Sequence, residues 1–376
     1  SHCRQAATLD PDRAELHNNL GAILQKQERI EEAITCYDMA IELEPEYAEA
    51  HLNRSFALLL IGNYKDGWIE NKWRLQAKAH RLRKFNKPQW DGSPLNGKTI
   101  LIHAEQGFGD TIQFIRYLPM VQAQGGNVVF ECHKSLIRLL RNYEGIDKLI
   151  ERVPKPDIEF DTQLPILSLP GIFDTTADSI PSDTPYITSD QGLSQLFSLR
   201  FGTDYNFKIG IAWAGNSDNK KNHIRSCALA DFNPLLDIQG ISFYSIQKGP
   251  ASVEADSTLR EMKIINLSNQ IKDFADTAAV VSNLDLIISV DTAVVHLAGA
   301  LGKPVWNLIH FAPDWRWLLN RDDSPWYPEM RLFRQTKSND WTTVFKRVKE
   351  ALLQIVNDSR TVTTEFNENT LQHSIS

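Results

Sequence analysis

One segment, residues 284–306, constrains the fold of this 376-residue chain more than any other. Leu284 to Val290 is an apolar run with the length of a buried parallel strand, and Thr292 to Leu301 has the pattern of a helix that Gly302 and Pro304 end. A helix that begins where a parallel strand ends points its free amides into the crevice where α/β sheets bind ligands. The segment predicts a parallel sheet whose turn here is either an ordinary connection or a site for a nucleotide diphosphate.

Composition narrows the class of protein. The length allows two or three domains, and 42% hydrophobic residues are enough for sizeable cores. The net charge of -7 comes from acids and bases mixed along the chain, without the basic run that follows a phosphate backbone, which argues against nucleic acid as a partner.

Cysteine spacing and hydropathy indicate the cellular location of the protein. The four cysteines, Cys3, Cys36, Cys132 and Cys227, show no CxxC spacing, so we expect neither a zinc site nor a disulfide framework. No apolar stretch reaches the ~18 residues that a membrane span needs, and no leader is visible, although a chain that begins within a repeat could have lost one. We therefore expect a cytoplasmic protein without a membrane span.

The first part of the chain carries a 34-residue period. Residues at its offsets resemble the tetratricopeptide pattern, and they predict a helix over Ala14 to Gln27 and a second over Ile30 to Leu43. A weaker repeat follows, in which Trp68 and Trp73 replace the usual small residues, and we expect it to be a cap that turns an aromatic face onto the next domain. The residues that carry the first repeat are Leu20, Gly21, Leu24, Ala33, Tyr37, Ala40 and Pro45.

Strand and helix patterns alternate after residue 98, which predicts two parallel sheets. The fold class expected is α/β, with two Rossmann-like domains facing a cleft behind an α-helical repeat segment. The predicted division is residues 1–78 as a truncated repeat array, 79–97 as a linker, 98–190 as the first Rossmann-like domain, 191–206 as an interdomain linker, 207–340 as the second Rossmann-like domain, 341–356 as a C-terminal helix and 357–376 as a disordered tail.

The first strand-to-helix turn of the first domain holds candidate site residues. Gln106, Gly107 and Gly109 let the backbone approach a ligand, and Asp110 stands at the helix start, either in the cleft or as a plain N-cap. A dinucleotide site with Glu131 on the ribose is a further possibility, but the third glycine of that motif is absent.

The second domain offers two cleft segments. Gly215 and Asn216 open a polar loop that leads to Arg225 and Ser226, where the guanidinium suits a diphosphate unless the loop is merely solvated. Another strand ends in Gln247 and Lys248, of which the amide suits a base or ribose and the ammonium suits a phosphate.

The segment 284–306 is a third part of the second domain that we expect to face the cleft. The amides of Thr292 and Ala293, which follow Asp291, can bind phosphate, whereas His296 lies one turn further on and faces either the cleft or the core. The aromatic run 311–328 could stack on a sugar or form an apolar seam.

Together these motifs resemble bacterial tetratricopeptide-repeat proteins with a heptosyltransferase-like domain of glycosyltransferase family 9. The runs that carry the resemblance are residues 210–216, 289–298, 311–317 and 324–328. The resemblance implies a GT-B fold in which the first Rossmann-like domain takes the acceptor and the second holds a nucleotide-sugar donor.

The resemblance also implies roles for single residues. Gly109 and Asp110 match the glycine-aspartate pair that supplies the general base, and Asp291 to His296 matches the donor-helix run. Arg225 stands where a lysine that binds the donor phosphates is more usual, which leaves the donor's identity open. No metal or other cofactor is expected, and transfer should proceed with inversion.

The sequence thus favours an inverting glycosyltransferase over a repeat protein whose transferase domain only senses nucleotide sugars or scaffolds partners. The repeats are foreign to heptosyltransferases proper and are similar to those of O-GlcNAc transferases, which raises a polypeptide acceptor as an alternative to a glycan. A protein partner that binds through the repeats is also possible.

Overall fold

The computed structural model describes residues 10–78, 83, 85–154, 156–216 and 222–373, with side chains as far as residue 357. Its helices are α1 Ala14–Lys26, α2 Ile30–Leu43, α3 Ala48–Leu60, α4 Tyr64–Asn71, α5 Phe108–Phe114, α6 Leu118–Gln122, α7 Lys134–Leu140, α8 Leu169–Ile172, α9 Gln191–Phe201, α10 Asn222–Arg225, α11 Pro250–Glu254, α12 Asp256–Glu261, α13 Phe274–Ser282, α14 Ala293–Ala300 and α15 Trp341–His373. Its strands are β1 Thr99–His103, β2 Asn127–Cys132, β3 Lys148–Glu151, β4 Thr162–Pro165, β5 Phe207–Ala212, β6 Ile241–Ser245, β7 Ile265–Asn266, β8 Leu286–Val290, β9 Val305–Ile309 and β10 Met330–Arg334.

The repeat segment consists of two helical hairpins, α1–α2 and α3–α4. The first hairpin has the two predicted helices, and Tyr37 fills the space between them. The Tyr37 ring is so close to α1 that a Cβ on Gly21 would lie 2.6 Å from it. Trp68 of the second packs edge-to-face on Trp315 of the second Rossmann-like domain, which confirms the aromatic face of the cap. Trp73, in contrast, stacks on His51 inside the repeat segment.

The two sheets are parallel and have Rossmann-like strand orders. The first is β3-β2-β1-β4, and the second is β10-β9-β8-β5-β6-β7. In each sheet the strand order reverses next to the domain's first strand, between β1 and β4 or between β5 and β8. Ligands of such sheets bind outside the carboxyl ends of the strands at this point. The α/β class expected from the alternating patterns is confirmed.

The segments outside the two sheets depart from the sequence-based expectations in two places. The predicted linker 191–206 contains α9, whose Phe197 and Phe201 are buried, since apolar residues recur there every four positions. The last helix, α15, continues to His373, whereas the sequence predicts its end at residue 356 and a disordered tail. Low apolar content argues against packing of the tail, but a helix satisfies its backbone hydrogen bonds by itself.

The predicted linker 79–97 is partly outside the described residues, which omit 79–82 and 84. Further along it, Trp90 is buried, its amide donates to the Gln163 carbonyl at 2.9 Å, and its indole donates to the Ser93 carbonyl at 2.8 Å. This part of the linker is therefore fixed along β4, the edge strand of the first sheet.

Candidate active site

A cavity of about 1100 Å³ lies between the carboxyl ends of the two sheets. The cavity lies at the point where the strand order of each sheet reverses, and residues of both Rossmann-like domains line it. Of the residues predicted from the sequence, those that line it are Gln106, Gly107, Gly109, Asp110, Gly215, Asn216, Arg225, Gln247, Lys248, Asp291, Thr292, Ala293 and His296. Ser226 does not line it: the Ser226 hydroxyl donates to Asn222 Oδ1 at 2.9 Å and accepts from the Gly215 amide at 3.3 Å, so it fixes the loop instead.

Asp110 lies in the first turn of α5, and its side chain is 18% exposed. Gly107, not Asp110, is the N-cap residue of this helix, so the plain N-cap interpretation is wrong. The Gly107 amide donates to Asp110 Oδ2 at 2.8 Å, and the guanidinium of Arg316 donates to Oδ1 from the other domain. Burial raises the pKa of Asp110, against the opposing effect of Arg316.

The dinucleotide alternative has no support in the structure. The side chain of Glu131, which would bind the ribose, is fully buried and forms an ion pair with Arg83.

Arg316 was missed at the sequence level. Its guanidinium is 9% exposed and donates to Asp314 Oδ1 at 2.8 Å and to Gln113 Oε1 at 2.6 Å, besides its bond to Asp110. The signal was present in the motif 313–317, where two charged residues alternate with two tryptophans.

His296 lies in the contact between the two domains. A Cβ on Gly109 would lie 2.8 Å from His296 Cδ2, so α5 and α14 approach as closely as they do because residue 109 is a glycine. His296 Nδ1 lies 2.9 Å from the Tyr327 hydroxyl, and the ring stacks on Trp317. Burial lowers the pKa of His296 to about 3, with Arg316 acting in the same direction. His296 therefore forms part of the cavity wall as a neutral ring.

The start of α14 forms another part of the wall. Thr292 is its N-cap residue, with Oγ1 accepting from the Val294 amide at 3.3 Å. Burial raises the pKa of Asp291, and the nearby carboxylate of Asp314 raises it further. The N-terminal turn of the helix thus meets the cavity with its partial positive charge beside two carboxylates.

Arg225 lines the cavity and lies against the loop after β5. A Cβ on Gly215 would lie 2.6 Å from Arg225 Nη2, so the glycine allows the guanidinium to reach the backbone there. Arg225 Nε is buried, and within the described residues it has no hydrogen-bond partner. Most of the predicted polar loop, residues 217–221, lies outside the described residues.

Gln247 and Lys248 both form hydrogen bonds inside the protein that the sequence did not predict. Gln247 Oε1 accepts from the amides of Trp213 at 3.0 Å and Ala214 at 2.9 Å, and its Nε2 donates to the carbonyls of Ala214 and Lys248. Its amide therefore holds the loop after β5 and does not reach for a base or ribose. Lys248 Nζ donates to the carbonyls of Ser268 and Ile271, both at 2.7 Å, which leaves one of its three N–H groups for a phosphate.

One edge of the cavity is aromatic. Phe108, at the start of α5, contacts both His133 and Phe274, with ring centroids 5.0 Å apart in each case. Next to this cluster, Arg138 of the first domain forms ion pairs with Asp273, the N-cap residue of α13, and with Asp276 in its first turn. The two domains are therefore joined on this side of the cavity as well.

Within the described part of the chain, no group of three or more His, Cys, Asp or Glu residues is arranged to hold a metal ion. None of the helices in that part has the length and apolar character required to cross a bilayer.

Comparison with known proteins finds a family match in the repeat segment and another in the second Rossmann-like domain. Residues 14–47 match the tetratricopeptide repeat, and residues 244–311 match glycosyltransferase family 9 (heptosyltransferase). Protein FlbA of Caulobacter vibrioides is 25% identical over 93% of this chain and 68% of its own length. Two solved structures share the fold at 12% identity. E. coli ADP-heptose LPS heptosyltransferase II matches with a TM-score of 0.52, over 70% of this chain and 99% of its own. A family 9 glycosyl transferase from Veillonella parvula matches with a TM-score of 0.51, over 65% of this chain and 88% of its own.

The fold and the cavity thus define a GT-B-like protein of two Rossmann-like domains with a helical repeat segment in front. The chain thus carries a tetratricopeptide repeat, and part of its second Rossmann-like domain matches glycosyltransferase family 9.

Proposed function

We propose that the protein is an inverting glycosyltransferase that moves a sugar from a nucleoside-diphosphate sugar to a hydroxyl acceptor. One observation carries the proposal: a carboxylate of one domain, Asp110, shares a cavity with the cation of Arg225 and the N-terminus of α14 on the other. Transfer needs a base, a fixed diphosphate and a place for the anomeric carbon, and the residues that line the cavity include candidates for the base and for the groups that bind the diphosphate.

Asp110 is the proposed general base. As the acceptor oxygen attacks the anomeric carbon, its proton passes to a carboxylate oxygen of Asp110, and the bond between carbon and diphosphate breaks with its electron pair leaving on the phosphate. A single displacement of this kind inverts the anomeric centre. The raised pKa of Asp110 makes it a better base than a free aspartate, whose pKa is about 3.9.

The leaving group requires positive charge. In the proposed complex the guanidinium of Arg225 and the amides at Thr292 and Ala293 bind the diphosphate, with the remaining N–H of Lys248 within the same cavity. The proposal assigns stabilisation of the leaving group to these groups instead of to a metal ion.

The acceptor and the cellular location belong to the proposal as well. The acceptor is a saccharide or a polypeptide hydroxyl, and the repeat segment offers a surface for a protein partner. A cytoplasmic location agrees with Cys132 and Cys227, which are free thiols.

A second candidate is a nucleotide-sugar-binding scaffold without turnover. It is favoured by the contacts of Asp110, because both carboxylate oxygens already accept hydrogen bonds, as those of a structural carboxylate do.

A donor screen separates the two functions. The protein is incubated with ADP-, GDP- and UDP-sugars, thermal shifts report binding, and mass spectrometry reports release of the nucleoside diphosphate with and without acceptors. If the wild-type protein releases the nucleoside diphosphate and the Asp110→Asn variant does not, the result supports the transferase function. Binding without release by the wild-type protein supports the scaffold, and absence of both binding and release contradicts the proposed donor.

A further inference from the structure

The repeat segment reaches the transferase domains through a buried ion pair. Arg74, in the 3-10 turn that follows α4, is paired with Glu105 of the first Rossmann-like domain. The pair is bidentate, with Nη2 2.8 Å from Oε1 and Nε 3.1 Å from Oε2. The side chains of Arg74 and Glu105 are 3% and 0% exposed.

All five N–H groups of Arg74 have acceptors. Besides the two bonds to Glu105, Nη2 donates to the Ser168 hydroxyl at 2.7 Å, and Nη1 donates to the carbonyl and the side-chain oxygen of Asn71. Such a fork fixes both the position and the plane of the carboxylate that it binds. Glu105 Oε1 also accepts from the Leu167 amide at 3.1 Å, so the carboxylate joins the turns after β1 and β4.

The position of Glu105 in the chain links this pair to the reaction. Glu105 is two residues beyond β1 and five before Asp110, in the turn that leads into α5. A shift of this turn moves the first turn of the helix and the proposed base with it. Displacement of a reacting group by about 1 Å is enough to cost a hundredfold in rate.

Trp68 of α4 makes the corresponding contact with the second Rossmann-like domain. Its ring lies edge-to-face on Trp315 at 5.3 Å, and Trp315 precedes Arg316, the partner of Asp110. The Trp68 indole also donates to the Thr175 carbonyl of the first domain at 2.8 Å. The repeat segment therefore contacts both domains beside the pair that joins them.

We propose that Arg74 and Trp68 are positioning residues of the transferase site, through which the repeat segment holds Asp110 and Arg316 against each other across the cleft. This inference rests on the proposed function. It makes the second repeat a structural part of the active site instead of an independent binding module. Apolar contact alone would join the domains at lower desolvation cost, and a buried bidentate pair adds a fixed geometry.

The test compares Arg74→Met with the double variant Arg74→Met/Glu105→Met, because the single variant leaves a buried carboxylate without its partner. In both we expect kcat to fall at least about tenfold. The affinity for the nucleoside diphosphate, measured by calorimetry, should be unchanged, since its proposed site is on the other domain. Hydrogen exchange of the peptide 103–112 should rise, and Arg74→Lys should recover part of the kcat.

Arg54→Met is the matched control. Arg54 also pairs with a mostly buried glutamate, Glu70, but within the repeat segment, so kcat should stay within about twofold of the wild-type value. Unchanged kcat and exchange in the folded double variant would overturn the proposal, as would an equal loss of kcat in Arg54→Met. If the wild-type protein transfers no sugar, the proposed function fails, and exchange of the 103–112 peptide alone then decides whether Arg74 positions the turn.

Discussion

Asp110 and Arg316 form an ion pair across the cleft, although 206 positions separate them in the chain. Each comes from a different Rossmann-like domain, and each also has a hydrogen-bond partner in its own domain. The Gly107 amide holds Asp110, while Asp314 holds Arg316. The pair therefore defines a state in which the two domains are closed on each other, and opening of the cleft on this side has to break it.

The first prediction concerns the base. Asp110→Asn keeps the size of the side chain and an oxygen for the Gly107 amide, but it removes the carboxylate. We expect kcat for sugar transfer to fall about 10²- to 10⁴-fold, the range for loss of a general base. Steady-state kinetics with the donor found by the screen provide the measurement, and nucleoside-diphosphate affinity should change little. Full activity of Asp110→Asn would exclude the proposed mechanism.

The second prediction concerns the donor. Arg225→Met should raise the KM for the donor about 10- to 100-fold, because one charged hydrogen-bonding partner contributes roughly 1.5–3 kcal/mol. Calorimetric titration with the nucleoside diphosphate should show the same loss. The control is Arg260→Met in the same domain, where the side chain is 72% exposed and pairs with Asp256. Equal donor affinity in the two variants would remove Arg225 from the diphosphate site.

The third prediction concerns the close approach of α5 and α14. Gly109→Ala places a methyl group 2.8 Å from His296 Cδ2, so the histidine ring or one of the helices has to move. Overpacking of this kind typically costs about 1–3 kcal/mol, and denaturant unfolding should show a loss of that order, together with a fall in kcat. Gly192→Ala is the control, because the new methyl group would lie near only the Asp190 carboxylate. A stable and fully active Gly109→Ala variant would show that the two helices have room to separate.

The fourth prediction concerns acid stability. Burial lowers the pKa of His296 to about 3 from its usual value near 6.5, so between these values the unfolded chain binds a proton that the folded chain does not. The free energy of unfolding should therefore fall, as pH drops from 6.5 toward 3, by about 1.4 kcal/mol per pH unit from this residue. The raised pKa values of Asp110 and Asp291 act in the opposite direction.

The comparison of wild type with His296→Asn isolates the histidine, since both proteins keep the two aspartates. The difference between their free energies of unfolding should shrink as the pH falls through this window. A difference that is independent of pH would mean that the folded protein also protonates His296 there.

Local patterns were sufficient for most of the architecture. The 34-residue period located α1 and α2, and short apolar runs located β1, β2 and β5 to β9, because helix and strand differ in the spacing of their buried residues. The sequence did not predict β3, β4 and β10. Apolar residues within 110–122 have the spacing of a single helix, but this segment does not form one. It is divided into α5, a 3-10 turn over 115–117, and α6, whose first turn contains Pro119, a residue without an amide hydrogen.

For the candidate active site, too, the sequence predicted some features and not others. Strand ends and glycines predicted which turns meet, so Asp110, Arg225 and Thr292 do line one cavity. The internal contacts of Gln247 and Lys248 were not predictable, because which acceptor a polar side chain reaches depends on loops that pack against it from elsewhere in the chain.

The sequence by itself determined the repeat segment, the two parallel sheets and the turns that carry polar residues, since these follow from the periodicity of apolar residues and from the positions of glycine and proline. Only the tertiary structure decided that Arg316 pairs with Asp110 and that Arg74 pairs with Glu105. Both pairs join residues far apart in the chain, and a charge in a sequence does not reveal its partner until packing removes water and brings the two together.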